Sequence, residues 1–131
     1  MTNYLTHMQS IGKDTAFPRR LSYLAFNFKP YLKILNRTSR ILEIGPGTGE
    51  LLSLLNSMGI TKIDIVDNDP SVLKYCQTTY KIETTIHAKS LDMDKTIPKK
   101  SMYDLITLTQ VFEHIPKSSY LNWIRTLYTH L

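Results

Sequence analysis

Residues 41–50 read Ile-Leu-Glu-Ile-Gly-Pro-Gly-Thr-Gly-Glu, a short apolar run followed by three glycines in alternate positions. The apolar run predicts a buried strand, and Leu51, Leu54 and Leu55 predict one face of the helix that follows. Glycine permits backbone angles that a β-carbon forbids, and it lets a ligand approach the main chain closely. Because the bend leads into a helix N-terminus, its free amides and positive dipole end suit a carboxylate or a phosphate.

Strands and helices alternate along the chain after residue 40. Apolar and alternating runs predict four strands, at residues 41–44, 63–67, 82–88 and 103–109. Three helices are predicted among them: one that Gly59 ends, one that Asp69 caps with Pro70 in its first position, and one that begins at Ser118 or Ser119. Connections of this length require a parallel sheet covered by helices, with right-handed crossovers.

The segment before the first strand is predicted to be a helical cap, which divides the chain at 1–39 and 40–131. Apolar residues at spacings of three and four predict a helix over 17–36, and Pro30 should kink or split it. Residues 1–40 carry seven Lys or Arg and one acid, a charge of +6 against −1 for the remainder. A basic segment suits a phosphorylated or nucleotide-linked substrate or RNA, and a solvated helical face is the simpler interpretation.

Length and composition fit one globular domain. The chain has 131 residues, 42% hydrophobic and 21% charged, which is enough apolar material for a core and too little charge for disorder. No apolar run approaches the roughly 20 residues of a spanning helix, and no secretory pattern opens the chain. The single cysteine, Cys76, excludes an internal disulfide and is predicted to pack in the core. We therefore expect a cytoplasmic protein.

Two classes of ligand use a glycine bend of this kind. Dinucleotide sites favour Gly-x-Gly-x-x-Gly, in which the third glycine permits close packing of helix on strand. Here Glu50 occupies that third position, which disfavours a dehydrogenase. The alternate glycines at 45, 47 and 49, with Glu43 two places before the first of them, instead resemble the first motif of class I S-adenosylmethionine-dependent methyltransferases.

The resemblance assigns the bend to the methionine part of S-adenosylmethionine. In that family the loop wraps this part of the cofactor, and the acidic residue at the Glu43 position lies near the cofactor's amino group, often through water. A negative charge beside an ammonium is the physical reason. The loop residues that the resemblance implies as cofactor-binding are Gly45, Pro46, Gly47, Thr48 and Gly49.

Acidic residues after the second and third strands match the family's nucleoside site. Asp67 ends the second strand, and a carboxylate there can accept the hydrogens of both ribose hydroxyls. The family has its ribose-binding acid at this position, Asn68 matches a position that packs against adenine, and Asp92 best fits the acid that receives the adenine amino group. The alternatives are a helix cap for Asp67 and an exposed loop carboxylate for Asp92.

Residues 103–116 resemble the family's fourth-strand motif and supply a candidate base. The Glu113-His114 pair ends this motif, and an imidazole with a pKa near 6.5 can accept a proton at neutral pH. His114 is therefore the candidate catalytic residue, and holding the loop in shape is its alternative role. Gln110 is counted among the cofactor-binding residues. Some relatives have a metal-binding glutamate there, and a neutral amide is a poor replacement, so no metal is predicted.

The resemblance implies methyl transfer to an oxygen or nitrogen atom of a small molecule, such as a sugar or secondary metabolite. Two alternatives stay open: an RNA methyltransferase, because of the basic N-terminal segment, and a cofactor-binding protein without activity. No Asn/Asp-Pro-Pro-Tyr/Phe and no Pro-Cys follows the fourth strand. This disfavours methylation of adenine N6, of a glutamine amide and of cytosine C5.

The family's sheet has seven strands in the order 3-2-1-4-5-7-6, of which this chain supplies strands 1–4. The resemblance therefore implies a Rossmann-like three-layer α/β/α fold, truncated before its C-terminal half. Residues 1–39 take the place of the family's N-terminal helices, where Tyr4, His7, Phe17 and Tyr23 are candidate pocket residues. Strand four becomes an open apolar edge, which invites pairing. We expect a fragment of a longer enzyme, and the alternative is a homodimer across this edge.

Overall fold

A computed structural model describes residues 16–109 and 111–131 of the chain. Tyr4, His7 and Gln110, named above as candidate site residues, lie outside the described residues. In chain order the elements are α1 (Ala16–Leu32), β1 (Ile41–Ile44), α2 (Glu50–Ser57), β2 (Ile63–Asp67), α3 (Pro70–Thr79), β3 (Thr84–His87), α4 (Met93–Thr96), β4 (Leu105–Leu108), two 3-10 turns (Phe112–His114 and Lys117–Ser119) and α5 (Tyr120–Tyr128). In the described ranges no helix is both long and apolar enough to cross a bilayer.

The four strands form one parallel sheet in the order β3-β2-β1-β4. β1 is central, and its first residue, Ile41, lies beside Ile63 of β2 and Leu105 of β4. Every residue of β1 is buried, as expected of a parallel strand that is covered on both faces. The predicted parallel α/β fold and the predicted strand order are therefore confirmed.

Two apolar clusters lie on opposite faces of the sheet. Because successive side chains of a strand point to opposite faces, Ile41 and Leu42 of β1 enter different clusters. Ile41 packs with apolar residues of α2 and α3, among them Leu55 and Cys76, and α1 lies against the same cluster. Leu42 packs with residues of α4 and α5, including Trp123. The sheet is thus the middle of three layers, and the predicted core position of Cys76 is confirmed.

The first helix differs from its prediction in length. α1 ends at Leu32 rather than at residue 36, and Pro30 lies inside it without splitting it. A proline lacks the amide hydrogen that would bond to the preceding turn. Pro30 therefore costs α1 one internal hydrogen bond, and the helix still continues to Leu32. The predicted domain boundary between residues 39 and 40 stays a prediction.

The two outer strands are shorter than predicted. β3 and β4 each have four residues, whereas the apolar runs predicted strands over 82–88 and 103–109. Each outer strand pairs with one inner strand, and those strands are themselves four and five residues long. A strand cannot continue its regular hydrogen bonding beyond the end of the strand beside it. One hydrogen bond does lie just before β3, where the Glu83 amide donates to the Ile63 carbonyl at 2.8 Å.

The last helix, α5, packs on the core with only part of its apolar surface. Of the apolar residues at helical spacing, Leu127 is buried, whereas Leu121, Ile124 and Leu131 are each more than half exposed. α5 instead places Trp123 and Leu127 against the sheet. The Trp123 indole also donates from Nε1 to the Leu91 carbonyl at 2.8 Å.

Candidate functional site

A cavity of about 530 Å³ opens at the carboxyl ends of the strands. Ligands of open α/β sheets bind at this edge, because the loops after the strands converge there. The lining includes Gly45 and Gly47 after β1, Asp67 and Asn68 after β2, and His114 after β4. Five residues predicted from separate stretches of sequence are therefore brought to one cavity.

The glycine bend, residues 45–49, has a backbone that residues with side chains rarely adopt. Gly45 and Gly49 have φ angles of +70° and +85°. A β-carbon on Gly45 would lie 2.7 Å from the Val111 side chain, and one on Gly49 would lie 2.1 Å from the Tyr80 ring. Both glycines are therefore required by backbone angle and by space.

Asp67 ends β2 as predicted, and its side chain is oriented by the next turn. Its Oδ1 accepts the Asp69 amide at 2.8 Å, and burial raises its pKa despite that hydrogen bond. Asp69 in turn caps α3 by accepting the Ser71 amide at 2.8 Å. The helix-cap role is therefore filled by Asp69, and Asp67 remains directed to the cavity that it lines.

Asp92 lies beside the first cavity but is not part of its lining. Its Oδ1 accepts the Asp94 amide at 3.1 Å and so caps α4, and its carboxylate lies 3.7 Å from the Lys95 ammonium. The neighbouring residues Leu91 and Met93 do line the cavity. The contact of Asp92 with adenine stays a prediction.

Glu43 is buried in β1 with one carboxylate oxygen unpaired. The side chain is 1% exposed, Oε1 accepts the Thr109 hydroxyl at 3.5 Å, and Oε2 has no partner among the described residues. Burial, and after it the charge of Glu50, raises the pKa of Glu43 to about 8 against the opposing effect of the hydrogen bond from Thr109. A buried, unpaired carboxylate oxygen of this kind suits a cationic donor.

A second cavity, of about 480 Å³, lies between α1 and the glycine bend. Pro46 and Thr48 line it from the bend, and Arg20 and Asn27 line it from α1. The two cavities share Gly45, Gly47 and Thr109. The sequence did not single out Arg20 or Thr109, because one basic residue among seven and a threonine after a strand carry no distinctive pattern.

His114 lies in the 3-10 turn after β4 and is exposed where it lines the first cavity. The turn is held from α5, since the Tyr120 hydroxyl donates to the Phe112 carbonyl at 2.9 Å and the two rings pack edge to face. This geometry allows either predicted role, proton acceptor or loop residue. Among the described residues, no three His, Cys, Asp or Glu side chains are grouped as metal ligands.

Residues 15–131 match the model of a family described as methyltransferase domain. No curated protein matches the chain. A SAM dependent methyltransferase from Archaeoglobus fulgidus is 19% identical, with a TM-score of 0.70 over 98% of this chain and 54% of that one. A TehB-like SAM-dependent methyltransferase from Corynebacterium glutamicum is 17% identical, with a TM-score of 0.64 over 88% of this chain and 65% of that one. The plantazolicin methyltransferase BpumL, in complex with a pentazolic desmethylPZN analog and SAH, is 19% identical, with a TM-score of 0.64 over 91% and 45%.

The chain spans about half the length of these solved structures. At such identities the likeness shows the fold, and it extends over nearly all of this chain. The family model likewise covers the described sheet, the glycine bend and α1. The chain therefore belongs to the methyltransferase domain family and has the fold of the class I methyltransferases, whose cofactor is S-adenosylmethionine.

Proposed function

We propose that the chain binds S-adenosylmethionine across its two joined cavities and methylates an oxygen or nitrogen atom of a small molecule. The observation that supports this proposal is the sharing of Gly45, Gly47 and Thr109 by both cavities. One elongated ligand can therefore lie along the glycine bend with an end in each cavity. S-adenosylmethionine has this form, with a nucleoside at one end and an amino acid at the other.

The first cavity fits the nucleoside end of the cofactor. The Asp67 carboxylate is the acceptor for the ribose hydroxyls. Leu91 and Trp123 line the same cavity and offer an apolar surface on which an adenine ring can pack. Asn68 packs against that ring in our proposal, and Asp92, next to Leu91, receives its amino group.

The second cavity fits the amino-acid end. Glu43 itself lines neither cavity, and its link to them is Thr109, which lines both and donates to its Oε1. An ammonium group bound on that side would stabilise the buried carboxylate with its positive charge. Arg20 faces the cavity from α1, and its guanidinium suits an α-carboxylate. Pro46 and Thr48 line the space beside them. Arg20 already pairs with Glu50, which lines the same cavity, so in our proposal the carboxylate is received by the guanidinium nitrogens that this pair leaves over.

When bound, S-adenosylmethionine supplies a methyl group on a sulfonium whose leaving group is a neutral thioether. The protein has to hold the acceptor in line with that methyl group and exclude water. His114 lines the first cavity, and its imidazole can take the proton of an acceptor hydroxyl. In the alternative, Glu113 and His114 shape the loop without transferring a proton.

Cofactor binding is tested by calorimetry of the chain with S-adenosylhomocysteine, with NAD as the comparison ligand. We expect saturable binding of S-adenosylhomocysteine and none of NAD, because Glu50 stands where a dinucleotide site needs its third glycine. Equal binding of NAD, or no binding of S-adenosylhomocysteine, would contradict the proposal.

Methyl transfer is tested with methyl-labelled S-adenosylmethionine and a cell extract separated into small molecules and RNA. We expect label in the small molecules, and His114→Ala should reduce transfer to a hydroxyl without changing cofactor affinity. Labelled RNA, in an amount that falls steeply as the salt concentration rises, would instead support an RNA methyltransferase. Arg19 and Lys29, which are exposed on α1, would then supply the phosphate contacts. Binding without any transfer would indicate a non-catalytic protein.

A further inference from the structure

Tyr80, the residue after α3, contacts the glycine bend at two points. Its hydroxyl donates to the Thr48 carbonyl at 2.6 Å. Its ring occupies the space beside Gly49, where a β-carbon would lie 2.1 Å from the nearest ring carbon. One side chain therefore holds the backbone of two consecutive residues of the bend.

Tyr80 itself is anchored to elements other than the bend. Its amide donates to the Cys76 carbonyl at 2.9 Å, and its ring packs edge to face on Tyr75 with 6.4 Å between centroids. The backbone of the next residue, Lys81, forms two hydrogen bonds with the Asn56 side chain of α2. The Lys81 amide donates to Oδ1 at 2.8 Å, and Nδ2 donates to the Lys81 carbonyl at 2.9 Å. The position of the phenol is therefore set by α2 and α3.

The backbone that Tyr80 holds continues directly into the backbone that faces both cavities. Thr48 and Gly49 follow Gly47, which lines the two cavities, and Thr48 itself lines the second. We propose that Tyr80 is a positioning residue for cofactor binding: its hydroxyl and ring hold the bend in the conformation that receives the ligand. This inference rests on the proposed function, because the ligand is the cofactor proposed above. Holding the bend in advance lowers the conformational cost of binding.

The test is Tyr80→Phe, which keeps the ring and removes the hydrogen bond to Thr48. We expect the Kd for S-adenosylhomocysteine, measured by calorimetry, to rise roughly three- to tenfold, the range of one net hydrogen bond. Amide hydrogen exchange at Gly47, Thr48 and Gly49 should become faster in the ligand-free variant. A Kd within twofold of the wild-type value would overturn the inference.

The matched control is Tyr103→Phe, which also removes a phenol hydroxyl with a hydrogen bond inside the protein. Tyr103 donates to Asp64 at 2.8 Å and precedes β4, at the end of the sheet opposite the bend. This variant should lose stability while its Kd stays within twofold of wild type and exchange in the bend is unchanged. An equal rise in Kd in both variants would mean a general loss of stability and would also overturn the inference.

The two proposals fail in different ways. If the wild-type chain binds no S-adenosylhomocysteine, the proposed function is wrong, and hydrogen exchange in Tyr80→Phe still decides whether Tyr80 holds the bend. If the wild-type chain binds and Tyr80→Phe binds equally well, the proposed function stands and the role of Tyr80 is wrong.

Discussion

Arg20 of α1 forms an ion pair with Glu50, the first residue of α2, and both residues line the second cavity. The two side chains are 30% and 10% exposed. Thr48 completes the contact, since its hydroxyl donates to Glu50 at 2.6 Å and accepts from Arg20 at 3.3 Å. The pair therefore joins the N-terminal helix to the glycine bend.

Arg20→Ala should lower the free energy of unfolding by about 1–3 kcal/mol, because Glu50 would keep a mostly buried charge without its partner. The neighbouring Arg19 is exposed and provides the control. Arg19→Ala should stay within about 0.5 kcal/mol of wild type in denaturant unfolding. Equal losses in the two variants would show that the pair with Glu50 contributes nothing specific.

Asp67→Asn should raise the Kd for S-adenosylhomocysteine by about 10- to 100-fold. In the wild-type chain the Asp69 amide donates to the Asp67 carboxylate at 2.8 Å, and the side-chain oxygen of an asparagine can still accept this hydrogen bond and preserve the turn. The substitution removes the negative charge that, in our proposal, accepts the ribose hydroxyls. Hydrogen bonds to a charged acceptor contribute about 1.5–3 kcal/mol. Calorimetry measures the change, and Asp94→Asn, an exposed carboxylate outside the cavity lining, should leave the Kd unaltered.

Glu43→Gln should remove a pH dependence of stability that wild type shows between pH 4.5 and about 8. Burial raises the pKa of Glu43 from 4.5 to about 8, so the folded chain keeps a proton that the unfolded chain releases. The free energy of unfolding therefore falls as pH rises through this interval, by up to about 1.4 kcal/mol per pH unit. Denaturant unfolding across this range measures the slope in both proteins.

The difference between wild type and Glu43→Gln isolates this residue, because the raised pKa of Asp67 acts in both proteins. Glu83 is an exposed glutamate at the edge of the sheet, and Glu83→Gln is the control that should keep the wild-type slope. Parallel pH profiles for wild type and Glu43→Gln would show that Glu43 titrates at an ordinary pKa in the folded chain.

Cys76 should resist alkylation in the folded chain. It has no exposed surface, and burial, followed by the negative charges of Glu43, Asp67 and Glu50, raises the pKa of its thiol to about 12. Because the chain has one cysteine, mass spectrometry after iodoacetamide treatment at pH 8 reports this site alone. Complete reaction in denaturant is the control, and a comparable rate without denaturant would place the thiol at the surface.

The sequence predicted those elements correctly that can be recognised from their own residues. The continuous apolar run of β1, the glycines that follow it and the Asp69-Pro70 start of α3 all lie where expected. The errors lie at the ends of elements, because a strand ladder ends where its partner strand ends. The lengths of β3 and β4 could not be predicted from their own residues, because each depends on the strand beside it.

The candidate site divides in the same way. The sequence, through its resemblance to the methyltransferase family, was enough to name Asp67, Asn68, His114 and the bend 45–49 as candidates. Each lies at or just after the end of a parallel strand, and such residues meet at one edge of the sheet. Tertiary structure alone decided that Arg20 pairs with Glu50, that Tyr80 donates to Thr48, and that one buried oxygen of Glu43 meets no partner within residues 16–109 and 111–131. Arg20 and Glu50 are 30 residues apart in the chain, and Tyr80 and Thr48 are 32 apart. No local periodicity records such contacts, because they depend on how helices pack over the sheet.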